Sequence, residues 1–405
     1  MMESKSTQSA KRVAHGAAFS EAYASLNAAQ KKAVDTIDGP VLVVAGPGTG
    51  KTQILTLRIA NILLRTDVGP DSILALTFTE SGAKAMRERL RQYLGAAAYQ
   101  VGIFTFHGFA QSLISQYPDA YPRIIGGRPA TDLEQISLLE QILDSGVAPS
   151  LRPTGNPSYY VTSLMRMIGS LKQENISPDA LATLIAEQEQ SLTTVPRFHE
   201  KGAHKGKERG EYSKLVGQID KNRNLLAVYR AYQALLVERH LYDFNDMIIE
   251  TVTALEQNES MLRDLQERYQ YILADEHQDV NGAQNRILEL LASYHAVPNI
   301  FAVGDEKQAI YRFQGASLEN FLSFTTMFPD TTVVSLTENY RSGQCILDAA
   351  QALVAVDDGP LKKLRIPLTA ALVESATVEV RDFPHQAIED EYVVAAVQAA
   401  LAAGV

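Results

Sequence analysis

Eight consecutive residues, Ala45-Gly46-Pro47-Gly48-Thr49-Gly50-Lys51-Thr52, have the types and the spacing to hold a phosphate chain. Glycines let successive backbone N–H groups face an anion, and a helix starting just beyond them adds partial positive charge. In that setting Lys51 reaches the β- and γ-phosphates of a nucleoside triphosphate such as ATP, and the Thr52 hydroxyl ligates Mg2+. The pattern G-x-x-x-x-G-K-[ST] ordinarily opens on glycine, and here that position is Ala45. A second cluster, Asp275-Glu276-His277-Gln278-Asp279, follows the apolar run Tyr271-Ile272-Leu273-Ala274. An aspartate at the end of a buried strand can hold Mg2+ directly or through water, and a neighbouring glutamate can orient an attacking water and take its proton.

Both clusters need elements to aim them. Val41-Leu42-Val43-Val44 reads as a buried parallel strand, and Gln53 to Leu64 carries apolar residues at helical spacing. The same kind of short apolar run recurs at Ile73–Phe78, Val101–Phe106, Tyr271–Ala274, Ile300–Val303 and Thr332–Leu336, each closed by polar or small residues. Ligands of an open parallel α/β sheet bind beyond the carboxyl ends of its strands. The reading is therefore an α/β protein with a parallel nucleotide-binding sheet. Between about Ala110 and Leu241 strand signals vanish and amphipathic helices take over, with starts at Thr131-Asp132-Leu133-Glu134 and Ser177-Pro178 and a helix over Asn224–Val237. Within that insertion Arg197–Arg209 is hydrophilic and basic, either a solvated loop or one that touches phosphate. After Leu336 the pattern predicts a helix over Ser342–Val356, a strand near Val378–Arg381 and a helix over Ala387–Leu401.

Composition narrows the setting. At 405 residues the chain can build two or three cores, and 46% hydrophobic with 21% charged residues is ordinary for a globular protein. A formal net charge of -10 argues against non-specific coating of nucleic acid but leaves room for a local basic channel. The single cysteine, Cys345, excludes an internal disulfide framework and fits a reducing, cytoplasmic setting. No apolar run approaches the roughly 20 residues that span a bilayer. Residues 1–20 are polar and rich in small side chains, and read as a disordered leader.

Taken in order, these motifs resemble those of the UvrD/Rep-type superfamily 1 DNA helicases. Leu26-Asn27-Ala28-Ala29-Gln30 resembles the Q motif; Ala45 to Thr52 resembles motif I, whose first residue in this family is usually alanine. Thr77-Phe78-Thr79 with Ala83 and Met86 resembles motif Ia, Thr105-Phe106-His107-Gly108 motif Ib, and Asp275 to Asp279 motif II. Leu241-Tyr242-Asp243-Phe244-Asn245-Asp246 is similar to the aspartate-phenylalanine segment ahead of motif II. The stretch from Val303 to Ala316 resembles motif III, and Leu336-Thr337-Glu338-Asn339-Tyr340-Arg341-Ser342 motif IV.

The resemblance implies a RecA-like P-loop core split as 21–110 and 241–335, a helical insertion at 111–240, and the start of a second RecA-like unit at 336–405. It implies a Mg-ATP-driven 3′→5′ translocase of single-stranded DNA that unwinds single-strand/duplex junctions in repair or recombination. Glu276 would activate water, and Gln278 and Gln308 would sense the γ-phosphate. Arg341 would be an arginine finger, Tyr340 would stack on the base or ribose, and Gln30 would read the adenine edge, with Gln53 nearby. Mg2+ would lie at Thr52 and Asp275. Phe78, Tyr311 and Phe313 would stack bases, while Thr77, Thr105 and His107 would donate to phosphates.

Five positions depart from the family pattern: Gln53 for a frequent arginine, Glu80-Ser81 for Asn-Lys, His277 for an aromatic, and Gln314 for an arginine. Fewer phosphate contacts imply weaker DNA binding with a shallower salt slope. Motifs V and VI are expected beyond Val405, in the remaining domains of a longer chain that includes repair or recombination proteins among its partners. Two alternatives stay open: a nucleotide-binding module without motor activity, and the motor part of a helicase–nuclease.

Overall fold

In a computed structural model of the chain, residues 16–199, 205–305, 318–354, 367–373 and 377–404 are described. Helix α1 occupies residues 16–24 and is followed by α2 (Ala28–Asp35), β1 (Val41–Ala45), α3 (Lys51–Arg65), β2 (Ile73–Thr77), α4 (Glu80–Leu94), β3 (Gly102–Thr105) and α5 (Phe106–Gln116). A short α6 (Pro122–Ile125) and strand β4 (Arg128–Pro129) lead into α7 (Asp132–Asp144), α8 (Val161–Gln173), α9 (Pro178–Leu192) and α10 (Gly210–Glu238). The chain returns through β5 (Leu241–Tyr242), α11 (Phe244–Gln257), α12 (Glu259–Arg268), β6 (Tyr271–Ala274), α13 (Gly282–Ala292) and β7 (Ile300–Gly304). It continues through α14 (Leu318–Met327), β8 (Thr332–Leu336), β9 (Glu338–Asn339), α15 (Gln344–Val354), β10 (Thr369–Ala370) and α16 (Gln386–Ala402).

Six strands form one parallel sheet in the order β3-β2-β6-β7-β1-β8, as the run of strand ends implied. Both faces are covered, so the strands are apolar on both sides and alternate residues feed opposite cores. Leu42, Val44, Leu74, Leu76, Ile272 and Ile300 pack with residues of α5, α11 and α13. Val41, Val43, Ile73, Ala75, Leu273 and Val303 pack on the other side with residues of α2, α3 and α4. A third core, built on Leu139, Ile142, Leu164, Ile168, Val228 and Leu236, belongs to α7–α10. Among the described residues no helix is long and apolar enough to cross a membrane.

Several sequence expectations shift. Residues 16–20, assigned to a leader, are the first turns of α1, whose Phe19 stacks near Tyr23 and meets Tyr93 edge-on, giving the helix a place on the core. The helical stretch is not strand-free: β4 and β5 pair in parallel where the chain leaves and re-enters the sheet region. Helix α10 begins at Gly210 rather than Asn224, because its polar first half is held by side-chain partners on α9, Arg223 to Glu189 at 2.8 Å and Asn222 to Gln188 at 2.9 Å. No strand forms at 378–381; Val378 and Val380 are exposed and pair with no other strand, whereas Thr369–Ala370 pairs with β9. In the basic stretch, Phe198 and Glu208 form an antiparallel bridge and Arg197 pairs with Glu208 at 3.0 Å, while residues 200–204 lie outside the described ones.

Arg58, in the middle of α3, is buried and has no carboxylate hydrogen-bond partner among the described residues. Its guanidinium donates to the carbonyls of Ala33 (2.8 Å), Thr36 and Ile37 (3.2 Å), at the end of α2, and lies over the Phe301 ring. Burial lowers its pKa to about 9, opposed by nearby Tyr271 and Asp38, and the carbonyls at the negative end of α2 favour its charged form. The arginine thereby ties α2 to the helix that carries the phosphate loop. Arg58→Met should lower the unfolding free energy by about 1–3 kcal/mol by leaving those carbonyls unsatisfied, read as an earlier urea or thermal midpoint.

Candidate nucleotide site and nucleic-acid groove

The loop between β1 and α3 turns on two left-handed glycines, Gly48 (φ 71°) and Gly50 (φ 89°), conformations that side chains with a Cβ adopt only with strain. A Cβ at Gly48 would also stand 2.7 Å from Asn339 and Arg341, and one at Gly46 would stand 2.6 Å from Leu368. The loop is held from within by Thr49 Oγ1 donating to the Gly46 carbonyl at 2.8 Å. From α2, Gln30 Nε2 donates to the Thr49 carbonyl at 2.9 Å while Gln30 Oε1 accepts from the Asn27 amide. Gln30 is buried, and its carboxamide here holds loop backbone.

Across the sheet, Lys51 Nζ lies 2.6 Å from Glu276 Oε2. Glu276 is one of three non-glycine residues with positive φ (47°) among the described residues, a conformation worth of order 1–3 kcal/mol of strain that the surrounding structure must hold. Gln278 Nε2 donates to the same Glu276 oxygen at 2.8 Å, and Gln278 Oε1 accepts from the Asp305 amide at 2.9 Å, just beyond the end of β7. Lys51, Glu276, Gln278 and the end of β7 are thus one connected line. Asp275 is buried beside them; burial, reinforced by the Glu276 charge and opposed by Lys51, raises its pKa to about 6. Asp275 forms no ion pair among the described residues, and a buried carboxylate next to a glycine loop, Lys51 and the Thr52 hydroxyl is a donor set suited to a magnesium–triphosphate pair.

The 338–342 segment closes over the loop. Asn339 Nδ2 donates to the Pro47 carbonyl and the Tyr340 amide donates to the Gly48 carbonyl at 2.8 Å. Asn339 Oδ1 accepts from the amides of Arg341 and Ser342, and Asn27 Nδ2 reaches the Tyr340 hydroxyl at 3.0 Å. Tyr340 and Arg341 are therefore brought to the phosphate loop, and Gln53 lies at its edge, 3.8 Å from a Cβ at Gly50. Asn339 is the residue that the sequence reading passed over. Its motif position was visible, but nothing in the sequence showed that its amide would join two loops.

On the neighbouring strand ends lies a cavity of about 640 Å³ lined by Thr77, Phe78, Thr105, His107, Phe244 and Asp279, among others. Phe78 is 42% exposed. Thr105 is buried, and its hydroxyl is engaged: it donates to Glu80 Oε1 at 2.7 Å and accepts from the Gly108 amide as the cap of α5. The His107 ring lies parallel to that of Phe244 at 3.7 Å between centroids, and its Nε2 has no hydrogen-bond partner among the described residues. Phe244, 65% exposed, has no assigned role in the sequence reading, although it lay in a quoted segment. Its exposure follows from the turn that caps α11. Gln308, Tyr311 and Phe313 lie outside the described residues.

Burial lowers the His107 pKa to about 4, so the ring is neutral at pH 7. The unfolded chain, with an ordinary histidine, takes up the proton first, so this contribution to stability is present above about 6.5 and fades as pH falls toward about 4. Acidification from pH 7 to 4.5 should therefore destabilise the wild type more than His107→Phe, measured as the change in melting midpoint of each.

A family model described as the UvrD/REP helicase N-terminal domain matches residues 26–329. The chain is 32% identical over 336 residues to the ATP-dependent DNA helicase PcrA of Bacillus subtilis, covering 81% of this chain and 39% of that protein. It is 33% identical over 333 residues to PcrA of Staphylococcus epidermidis, covering 82% and 40%. With PcrA of Staphylococcus aureus it is 32% identical over 332 residues, covering 81% and 40%. The chain thus spans about two fifths of the length of these curated relatives. A match across most of the chain, on a parallel sheet whose strand ends carry the glycine loop and the paired carboxylates, places this protein in the UvrD/REP helicase N-terminal domain family.

Proposed function

We propose that this chain is the ATP-hydrolysing and strand-binding portion of a DNA helicase that moves 3′→5′ along single-stranded DNA, acting at single-strand/duplex junctions in repair or recombination. The observation that carries the reading is the connected line from Lys51 through Glu276 and Gln278 to Asp305, which starts at the phosphate loop and ends within the stretch that resembles motif III. That the PcrA relatives are ATP-dependent DNA helicases supports the substrate class.

In this reading residues 21–110 and 241–335 form one motor unit, 111–240 its helical insertion, and 336–405 part of a second. The backbone amides from Gly46 to Thr52 bind the phosphates, and Thr52 and Asp275 hold Mg2+, which when bound offsets phosphate charge. Lys51 exchanges its contact with Glu276 for phosphate oxygens. That exchange frees the Glu276 carboxylate to orient a water and accept its proton. Gln278 shares a hydrogen bond with that carboxylate, so it carries the change to the backbone of Asp305 and on toward Gln308, Tyr311 and Phe313. Arg341 faces developing charge on the terminal phosphate, and Tyr340 and Gln53 flank the base. Gln30 acts on the nucleotide through the loop it holds, in addition to any contact with the adenine edge.

On the other side Phe78 and the stacked pair Phe244–His107 offer faces for unpaired bases, with Thr77 and Thr105 at the backbone. Glu80 and Asp279 make this groove less cationic than a phosphate-binding surface needs, and Thr105 donates to phosphate only after parting from Glu80. Stacking rather than charge therefore supplies the affinity.

Steady-state ATPase measured with and without oligo(dT) tests the motor reading: stimulation of many-fold is expected, and an unchanged rate would support a nucleotide-binding module instead. Glu276→Gln should retain ATP binding and lose roughly 10²–10⁴-fold in hydrolysis rate. Phe244→Ala should weaken oligonucleotide binding by about 1–3 kcal/mol, read by fluorescence anisotropy.

A further inference from the structure

The Lys172 ammonium, on α8 of the helical insertion, is wholly buried. It contacts the Asp243 carboxylate and lies 2.7 Å from Asp246 Oδ1, with the Tyr232 ring 5.3 Å away. The two aspartates are themselves interlocked at the start of α11. Asp243 Oδ1 accepts from the Asp246 amide at 3.1 Å, and Asp246 Oδ2 accepts from the Asp243 amide at 2.9 Å. Arg123 closes the cluster from α6, through Asp246 at 3.0 Å and Glu250 at 2.8 Å. Lysine is almost never fully buried unless paired, and desolvating an ammonium is costly. Capping α11 needs only one side-chain oxygen, so the cap does not account for the lysine.

What the cluster encloses does account for it. Phe244 stands between the two aspartates in sequence, is 65% exposed, and lies against His107 on the groove wall. Helix α8 comes from the insertion, and Phe244 opens the helix that returns the chain to the sheet. Their link through Lys172 joins two parts of the chain at the edge of the groove.

We propose that Lys172 is a positioning residue for single-stranded nucleic acid. By clamping Asp243 and Asp246 it fixes the turn that presents Phe244, so that the Phe244–His107 pair keeps one orientation toward the strand and the insertion moves with the groove wall. This rests on the reading above that the groove takes an unpaired strand. The ligand class is an oligonucleotide recognised through base faces, and Lys172 acts through the aspartates without touching it.

The test uses oligo(dT) carrying a single 2-aminopurine, whose fluorescence reports stacking, titrated at several salt concentrations. Lys172→Met leaves two carboxylates facing one another in a buried site and can fail to fold. The double variant Lys172→Met/Asp243→Asn therefore accompanies it: charge stays balanced, asparagine still caps the helix, and Asp246 keeps Arg123. Folding is checked by circular dichroism. In either folded variant the 2-aminopurine signal should be lost and affinity should fall about tenfold, with the salt slope unchanged because phosphate contacts are intact. Lys172→Arg, which keeps the positive charge, should restore the stacking signal. Wild-type stacking in a folded variant lacking the lysine overturns the proposal. So does a loss confined to the salt slope, which would make Lys172 a direct phosphate contact. Failure of the wild type itself to bind the oligonucleotide overturns the strand-binding reading and this proposal together.

Discussion

The ammonium of Lys51 and the carboxylate of Glu276 meet although their strands are not neighbours. Strand β7 lies between β1 and β6, so the two chain ends start about 10 Å apart, twice the usual strand spacing. They are joined over the end of β7 by a long lysine side chain on one side and, on the other, by a glutamate in the left-handed conformation. In the reading proposed above, a terminal phosphate and its metal would enter between these two side chains, and the strand beneath is the one whose end Gln278 holds. The Lys51–Glu276 contact and the tie from Gln278 to the end of β7 therefore share one constraint. The relative register of three adjacent parallel strands is that constraint, because a shift of β1 or β6 along β7 would break the Lys51–Glu276 contact or the Gln278–Asp305 tie.

Around that contact the molecule uses buried polar side chains as ties between backbones. Gln30 joins α2 to the phosphate loop, Asn339 joins the loop to the segment carrying Tyr340 and Arg341, and Arg58 ties α2 to α3. Each donates to carbonyls that no regular secondary structure satisfies, which is why these residues are buried despite their polarity. A loop that binds an anion through its amides has its carbonyls turned elsewhere, and here those carbonyls are the points by which the rest of the protein holds it.

The groove is assembled on a different principle. Its wall is aromatic, its nearby carboxylates are acidic, and its buried cation is neutralised by two aspartates. The substitution of glutamate at position 80 has a structural counterpart, since Glu80 takes the Thr105 hydroxyl as partner. A hydroxyl engaged in this way is a weaker phosphate donor than the strand-end position alone implied.

Much of the core was readable from residue order, because its determinants are local. β-branched runs of four or five residues fit only a buried strand, the glycines of the phosphate loop allow the positive φ that the turn needs, and Ser, Thr and Asp mark helix starts by bonding nearby amides. The sheet's parallel sense and the polar strand ends followed from those signals. The order of the strands did not, nor did α1, whose place depends on aromatic contacts with α4, nor the polar first half of α10, whose partners lie on α9. Val378–Arg381 carried a strand-like pattern but joined no strand, since pairing requires a neighbour that pattern alone cannot supply. Likewise sequence identified Glu276, Gln278 and Phe244 as residues or segments of interest, while only the tertiary structure set Glu276 on Lys51, Gln278 on the end of β7, and Phe244 on His107 with a buried lysine behind it. Local backbone preference is written residue by residue; the meeting of side chains from distant strands is decided by how the sheet and the insertion pack.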